Sequence, residues 1–335
     1  MTGAIVTSEP VRGGFPSPAV LGLPGWQQIA SYGTELLPRS PLSRLLGLTV
    51  AGAELGRASY RLPLTPWLRD GDGRVSPAVV AIAADAALAG GVVSGLSPGH
   101  ARIATVDLSL HHLDADLDGL LAAGEGLVAT GWPCGPAGPG LVLAELEVTA
   151  DSGRPVARGL GHCLVLPPLD PLPPAPPSPE RPEPPELATG DPTPDPYQRP
   201  LDDEARAVGP LTRLLGLATG AGTCTMPATG WLCPTARAIQ GGSLVMLGQL
   251  AAERAAAGEL GRPAAVTQVT ASFVRMVFPR DALLTARATA TRHSRNLATA
   301  AVELTDEAGR ALVELAATCY DMSPAGPPPP PYGPG

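Results

Sequence analysis

The octapeptide PLSRLLGL at residues 41–48 returns as PLTRLLGL at residues 210–217, with Thr212 in place of Ser43 as the one change. Working outward from it, the two flanks also answer one another. Trp67-Leu68 is matched by Trp231-Leu232, TVDLSLHHL from Thr105 by QVTASFVRM from Gln268, and ADSGRPVAR from Ala150 by DEAGRALVE from Asp306. One short match can be accidental; a series of them in the same order means that the chain contains two copies of one supersecondary unit. The first copy is longer near GWPCGPAGPG (131–140), where the second reads TRHSRN (291–296).

Composition agrees with two domains. At 335 residues the chain has the length of two ordinary domains. Its apolar character comes from Ala, Val and Leu, and aromatics are only 4%, so the cores are expected to be built from small side chains in close contact. All 23 basic residues are Arg. With no lysine, Schiff-base chemistry, Ser-Lys dyads and a Walker-A lysine are excluded. A net charge of −8 without a basic cluster argues against nucleic acid or an anionic membrane as partner. The five cysteines stand singly, with no CxxC, which predicts reduced thiols and neither a disulfide framework nor a zinc site. The first residues, MTGAIVTSEPVRGGFPSP, offer no basic and apolar signal segment, so a cytoplasmic location is expected.

Between the copies, residues 167–200 hold 15 prolines in 34 residues. That density removes backbone donors and fixes φ, which excludes helix and central strand and predicts a semi-rigid spacer. The tail SPAGPPPPPYGPG is read as a second disordered Pro-rich segment, with a ligand for a proline-binding groove as the other reading. Within each copy the pattern is a short helix, a strand, one long apolar helix and then further strands. The long helices are expected at Ser76–Gly91 and Gly241–Gly258. Period-two alternation predicts strands at Ala101–Leu113, Leu120–Thr130, Leu141–Ala150 and Val156–Leu166, then at Ala265–Val277, Leu283–Thr291, Leu297–Thr305 and Ala311–Tyr320. One helix wrapped by a curled antiparallel sheet is an α+β arrangement.

This order of elements, with PLxRLLG, Trp-Leu before the helix, TVDLSL after it and DxxGR turns, resembles the hotdog-fold acyl-CoA thioesterases of the PaaI-like type, here with two hotdogs in tandem. The resemblance covers roughly residues 25–166 and 205–322. It implies a double hotdog whose two copies form a pseudo-dimer. The expected organisation is a disordered leader (1–24), a first hotdog (25–166), a Pro-rich linker (167–200), a second hotdog (201–323) and a disordered tail (324–335). The family motif is an Asn, five residues, His-Gly-Gly opening the central helix, and an acid nine positions after the His. Here the motif is split. The first copy has Asp70, Ser76-Pro77-Ala78 and the acid Asp85; the second has Pro234, Gln240-Gly241-Gly242 and, at the acid position, Gln249.

Thioester cleavage needs a polarised carbonyl and a carboxylate that attacks or activates water. Helix-mouth amides supply the first, and glycine allows close approach. Nine residues of helix rise about 13.5 Å, so an acid cannot work with its own helix mouth and must serve the neighbouring copy's. The expected composite site therefore joins Asp85, as nucleophile or base, to the amides of Gly241 and Gly242, with Gln240 at the family's His position. The reciprocal pairing of Gln249 with Ser76-Pro77-Ala78 is read as retired, although the Ala78 amide is still a donor. Asp70, Arg275, Arg292 and Arg295 are candidate substrate-binding residues, the arginines through forked contacts to coenzyme A phosphates.

Each has a plainer reading. Asp70 and Asp72 in RDGDGR serve as turn formers, the arginines as solvated residues, Gly241-Gly242 as a loose helix start, and Glu253 as a polar-face residue. Of His111 and His112 only one can face the interior. His100 and His162 have no partner in the sequence. The implied substrate is an acyl-CoA or acyl-carrier-protein thioester of fatty acid metabolism, with no metal or cofactor needed; further self-association of the pseudo-dimer is open. Two other activities stay open: an enoyl-thioester hydratase or dehydratase of the same fold, and a non-catalytic acyl-thioester binding protein.

Overall fold

Each copy of the octapeptide folds into a short helix, Pro41–Leu46 and Pro210–Leu215. Proline occupies the first helical position, where no N–H is missed. Gly47 (φ 72°) and Gly216 (φ 67°) end the helices in the left-handed conformation, returning their N–H groups to Ser43 O and Thr212 O. The structure, a computed structural model, describes residues 3–99, 102–113, 116–167, 199–280 and 282–322.

Among the described residues thirteen strands form one antiparallel sheet. Those of the first copy are β1 (Thr49–Glu54), β2 (Arg57–Leu62), β3 (Ile103–Thr105), β4 (Asp107–His112), β5 (Leu127–Pro133), β6 (Gly140–Ala150) and β7 (Pro155–Val165). Those of the second are β8 (Ala218–Gly220), β9 (Thr223–Pro227), β10 (Ala264–Phe273), β11 (Leu283–His293), β12 (Leu297–Thr305) and β13 (Ala311–Asp321). The sheet order is β1-β2-β5-β6-β7-β4-β10-β13-β12-β11-β9-β8, with β3 also on β7. Outward from the β4–β10 junction the order is the same in both directions, copy against copy. At that junction Leu108 lies opposite Ala271, Asp107 opposite Ser272 and Ser109 opposite Thr270. Leu108 and Ala271 are the residues that the two repeats equate.

The sheet packs against two long helices, Val80–Ser94, entered through a 3-10 turn at Pro77–Val79, and Gly241–Leu260. The first is apolar on nearly every side. Its window Pro77–Ser94 has a mean hydropathy of 1.7, enough by length and composition to cross a membrane, but 83% of it is buried inside the protein, as in a core helix. Small residues let backbones touch: a Cβ on Gly242 would lie 2.3 Å from Ala81 O, so only glycine lets the second helix begin against the first.

Several expectations are corrected. Residues 3–24 are not a disordered leader: Ile5–Ser8 is a helix, Ile5, Val6 and Val20 are buried, and the Glu9 carboxylate takes Arg199 Nη2 at 2.9 Å. The strand expected at Leu120–Thr130 is instead a helix, Leu117–Ala122, capped by Asp116, followed by β5; the helix buries Leu117 and Leu120. The strand expected from Ala101 to Leu113 breaks at Val106, whose N–H goes to His162 O and whose carbonyl accepts Phe273 N–H. β10 ends at Phe273, short of Val277. Ala101, His100, 168–198 of the linker and the tail 323–335 lie outside the described residues.

Candidate active site

Asp85 lies in the second turn of the first central helix, and its carboxylate meets the mouth of the second. Gly242 N–H donates to Asp85 Oδ2 at 3.0 Å, and Thr105 Oγ1–H donates to Oδ1 at 2.8 Å. The Gly241 amide adds a weaker hydrogen bond. Asp85 is only 4% exposed. Burial raises its pKa, opposed in turn by the bonds from Gly242, Thr105 and Gly241. Thr105 opens onto this carboxylate because the irregularity at Val106 reverses the alternation, sending Thr105 inward and Asp107 outward.

The surroundings close tightly around the carboxylate. A Cβ on Gly241 would sit 2.9 Å from Phe273 Cζ and 3.1 Å from Asp85 Oδ1, so the Phe273 ring covers the helix mouth. Burial, and then the Asp85 charge, push the nearby Cys163 thiol up to about 12, which keeps it protonated. Gln240 is also buried, but both ends of its amide are engaged: Nε2 donates to Ile82 O at 2.8 Å, and Oε1 accepts Ser243 Oγ–H at 3.2 Å. It thus braces one helix on the other.

The candidate substrate-binding residues are scattered. Asp70 is a turn former: its Oδ1 accepts the Asp72 and Arg74 amides at 2.9 and 3.1 Å. Its other oxygen faces Arg254 at 3.8 Å, beside the mouth of the first helix, and so on the side away from Asp85. Arg275 is exposed, two residues beyond Phe273, at the Asp85 end of the sheet. Arg292 is exposed near the far end of β11. It pairs with Thr299, which aligns through Thr318 with Gln268. That puts it three strands and five residues from Phe273, on the order of 20 Å. Arg295 lies further along the same hairpin. The structure therefore brings Asp85, Gly241, Gly242 and Gln240 together, keeps Arg275 at that end, and separates Asp70, Arg292 and Arg295 from them.

At the reciprocal mouth the Ala78 amide is not open: it donates to Ser76 Oγ at 3.0 Å. Ser76 Oγ–H in turn donates to Glu253 Oε2 at 2.9 Å. His112 faces inward, its Nε2 2.9 Å from Gln249 Oε1, and burial lowers its pKa to about 4; His111 is exposed. His162, without a partner in sequence, has one in space: its Nδ1 is 2.9 Å from Asp107 Oδ2, with both side chains about 40% exposed on the outer face of the sheet. Thr105 and Glu253 were missed as site residues. The position of Thr105 at the start of TVDLSL was visible, but the break that turns it inward was not. Glu253 is thirteen residues after the Gln240 cap, one turn beyond the motif's acid position.

No family model matches the chain, and no curated protein matches it. Solved structures do. The chain resembles thioesterases. The acyl-CoA thioesterase II TesB2 of Mycobacterium marinum is 12% identical, with 86% of this chain and 99% of that one covered at a TM-score of 0.48. The tesB protein of Mycobacterium avium subs paratuberculosis is 11% identical, with 84% and 97% covered and a TM-score of 0.49. The E. coli PaaI protein of the phenylacetic acid degradation operon is 19% identical over 33% of this chain and 83% of that one, with a TM-score of 0.31. At such identities and TM-scores the likeness carries nothing about activity, which rests on the site's own residues.

Proposed function

We propose that the chain is a double hotdog, a pseudo-dimer of residues 25–166 and 201–323, that hydrolyses an acyl-CoA or acyl-carrier-protein thioester at one composite site between its halves. The copy-against-copy strand order supports the pseudo-dimer. One observation carries the site: the hydrogen bond from Gly242 N–H to Asp85 Oδ2 at 3.0 Å, which joins a bare helix mouth of one half to a buried carboxylate of the other.

In the resting state the carboxylate itself occupies the amides that a thioester carbonyl needs. An arriving thioester displaces the Phe273 ring and takes the Gly241 and Gly242 amides with its carbonyl oxygen, where the positive end of the helix stabilises the developing negative charge. Asp85, released from the amides and still held by Thr105, accepts a proton from a water whose oxygen attacks the carbonyl carbon. The C–S bond then breaks, and the thiolate takes the proton from Asp85, leaving acid and thiol. The raised pKa of Asp85 strengthens it as a base. Arg275, at the same end, is the proposed contact to the phosphates of the carrier.

A non-catalytic acyl-thioester binding protein is the second reading, favoured by the closed geometry: Asp85 and Gln240 are each 4% exposed and each already latched to the opposite helix. The hydratase reading has less support, since Asp107 and His162 pair on the outer face of the sheet. Free-thiol release from a series of acyl-CoAs, run beside binding of a non-hydrolysable thioether analogue, separates the first two. Thiol release that depends on Asp85 supports the hydrolase; saturable analogue binding with no release from any substrate refutes it.

A further inference from the structure

The mouth of the first central helix, away from Asp85, opens into a cavity of about 400 Å³ lined by both halves. Its wall is largely hydrocarbon, including Leu211, Leu217, Leu250 and Met322. Into this wall Glu253 projects a half-buried carboxylate, held by two neutral donors: Ser76 Oγ at 2.9 Å on Oε2 and Val266 N at 3.2 Å on Oε1. The adjacent Arg254 guanidinium is turned to Asp72 at 2.9 Å and Asp70 at 3.8 Å. Among the described residues no ion pair to Glu253 forms.

A carboxylate set in a hydrocarbon wall without a cation is costly, and a ligand that brings one relieves that cost. The charges around the cavity point the same way: Asp70, Asp72 and Glu253 stand against Arg74 and Arg254, three negative to two positive when all are ionised. Burial, and after it the Asp70 charge, push Glu253 up to about 7 against the bonds from Val266 and Ser76 and the more distant Arg254 charge. Burial first, and the Glu253 charge after it, push the Cys224 and Cys319 thiols up to about 12, and they stay neutral. Ester or thioester cleavage does not fit this mouth, because Pro77 has no amide hydrogen and the Ala78 amide is spent on Ser76.

We propose that this cavity binds a small aliphatic amine, its ammonium group on the Glu253 carboxylate and its hydrocarbon body against Leu211, Leu217 and Leu250. The volume, at the low end for ligand pockets, suits a compact molecule.

The test is calorimetric titration of the full chain with n-hexylammonium, n-hexanol and hexanoate at about pH 8, above the Glu253 value of about 7. Hexylammonium is expected to bind saturably, hexanol at least about tenfold more weakly, and hexanoate not at all. Glu253→Gln, which keeps the shape of the side chain, should weaken hexylammonium by about tenfold or more. Ala257→Leu, which fills the cavity and leaves Glu253 intact, should abolish it. Asp85→Asn should leave it unchanged, so this site and the Asp85 site stand or fall separately. Hexanoate binding as well as the amine, no saturable amine binding, or amine affinity unchanged in Glu253→Gln or in Ala257→Leu would each overturn the proposal.

Discussion

Replacing Asp85 by Asn should abolish hydrolysis and stabilise the fold at neutral pH. The carboxylate is 4% exposed and accepts from Gly242, Thr105 and Gly241, all of them neutral groups. An asparagine oxygen still accepts from Gly242, and its amide still meets the Thr105 hydroxyl, which accepts as well as donates. The geometry survives while the buried charge is lost. A carboxyl pKa raised on folding means that the folded state holds the proton more tightly than the unfolded chain. The associated stability is therefore complete below the ordinary aspartate value and is lost as pH rises through the folded-state value. Above the ordinary aspartate value the wild type carries a penalty that grows with pH up to the folded-state value, and the Asn variant does not. The gain expected is ~0.5–2 kcal/mol, the usual scale when a functional group held at a cost is relieved, or a few degrees in Tm for a chain of this length. Loss of the base should lower kcat by about 10²–10⁴. Thermal unfolding of both proteins across acidic to neutral pH, with thiol release from acyl-CoA on the same samples, checks both halves. Their Tm difference should grow as pH rises above the ordinary aspartate value. An Asn variant that turns over at the wild-type rate, or that is less stable at neutral pH, would refute the reasoning.

Gly242→Ala should unfold or strongly destabilise the protein, by about 3 kcal/mol or more, because its Cβ meets backbone atoms Ala81 O and Ile82 Cα at 2.3 and 2.8 Å; denaturant midpoints read this directly. Gln240→Ala removes the bond to Ile82 O and should cost ~1–2 kcal/mol of stability, with a smaller fractional loss of thiol release than Asp85→Asn gives. Arg275→Ala should raise KM for acyl-CoA, by roughly tenfold if a charge-assisted phosphate contact is lost, whereas Arg292→Ala and Arg295→Ala should leave KM within about twofold.

The repeats were legible because they are written twice, and their shared glycine and proline positions dictate the same helix starts and stops in both halves. Pairing Asp85 with Gly241 and Gly242 followed from the motif that the family resemblance implies, joined to helix geometry: an acid nine residues into a helix cannot reach its own mouth. What local pattern could not reveal is set by tertiary packing. Leu120 alternates well enough to be read as strand, but burying it with Leu117 beneath an Asp116 cap makes a helix. The inward turn of Thr105 depends on a strand break whose cause, the bonds of Val106 to His162 and Phe273, lies in distant segments. Arg292 and Arg295 have the right chemistry for phosphate, but their hairpin lies at the wrong end of the sheet, and sequence spacing contains no such distance.

The two helix mouths have diverged together with the carboxylates that face them. Gly241 and Gly242 carry no side chain that caps their amides, so a short Asp nine residues past Ser76 reaches them directly and in turn leaves two donors for a carbonyl when it moves. At the other mouth Ser76 caps Ala78 with its own oxygen and offers only its hydroxyl outward, and the facing carboxylate is a Glu thirteen residues past Gln240. Four further residues add about one turn, which keeps the same helix face, and the extra methylene lengthens the reach. A mouth with free amides can stabilise an oxyanion; one whose amide is capped keeps only the Ser76 hydroxyl to donate. If the Asp85 mouth performs the proposed hydrolysis and the Glu253 mouth the proposed amine binding, the Asp85 and Glu253 substitutions should separate cleanly, each silent in the other's assay.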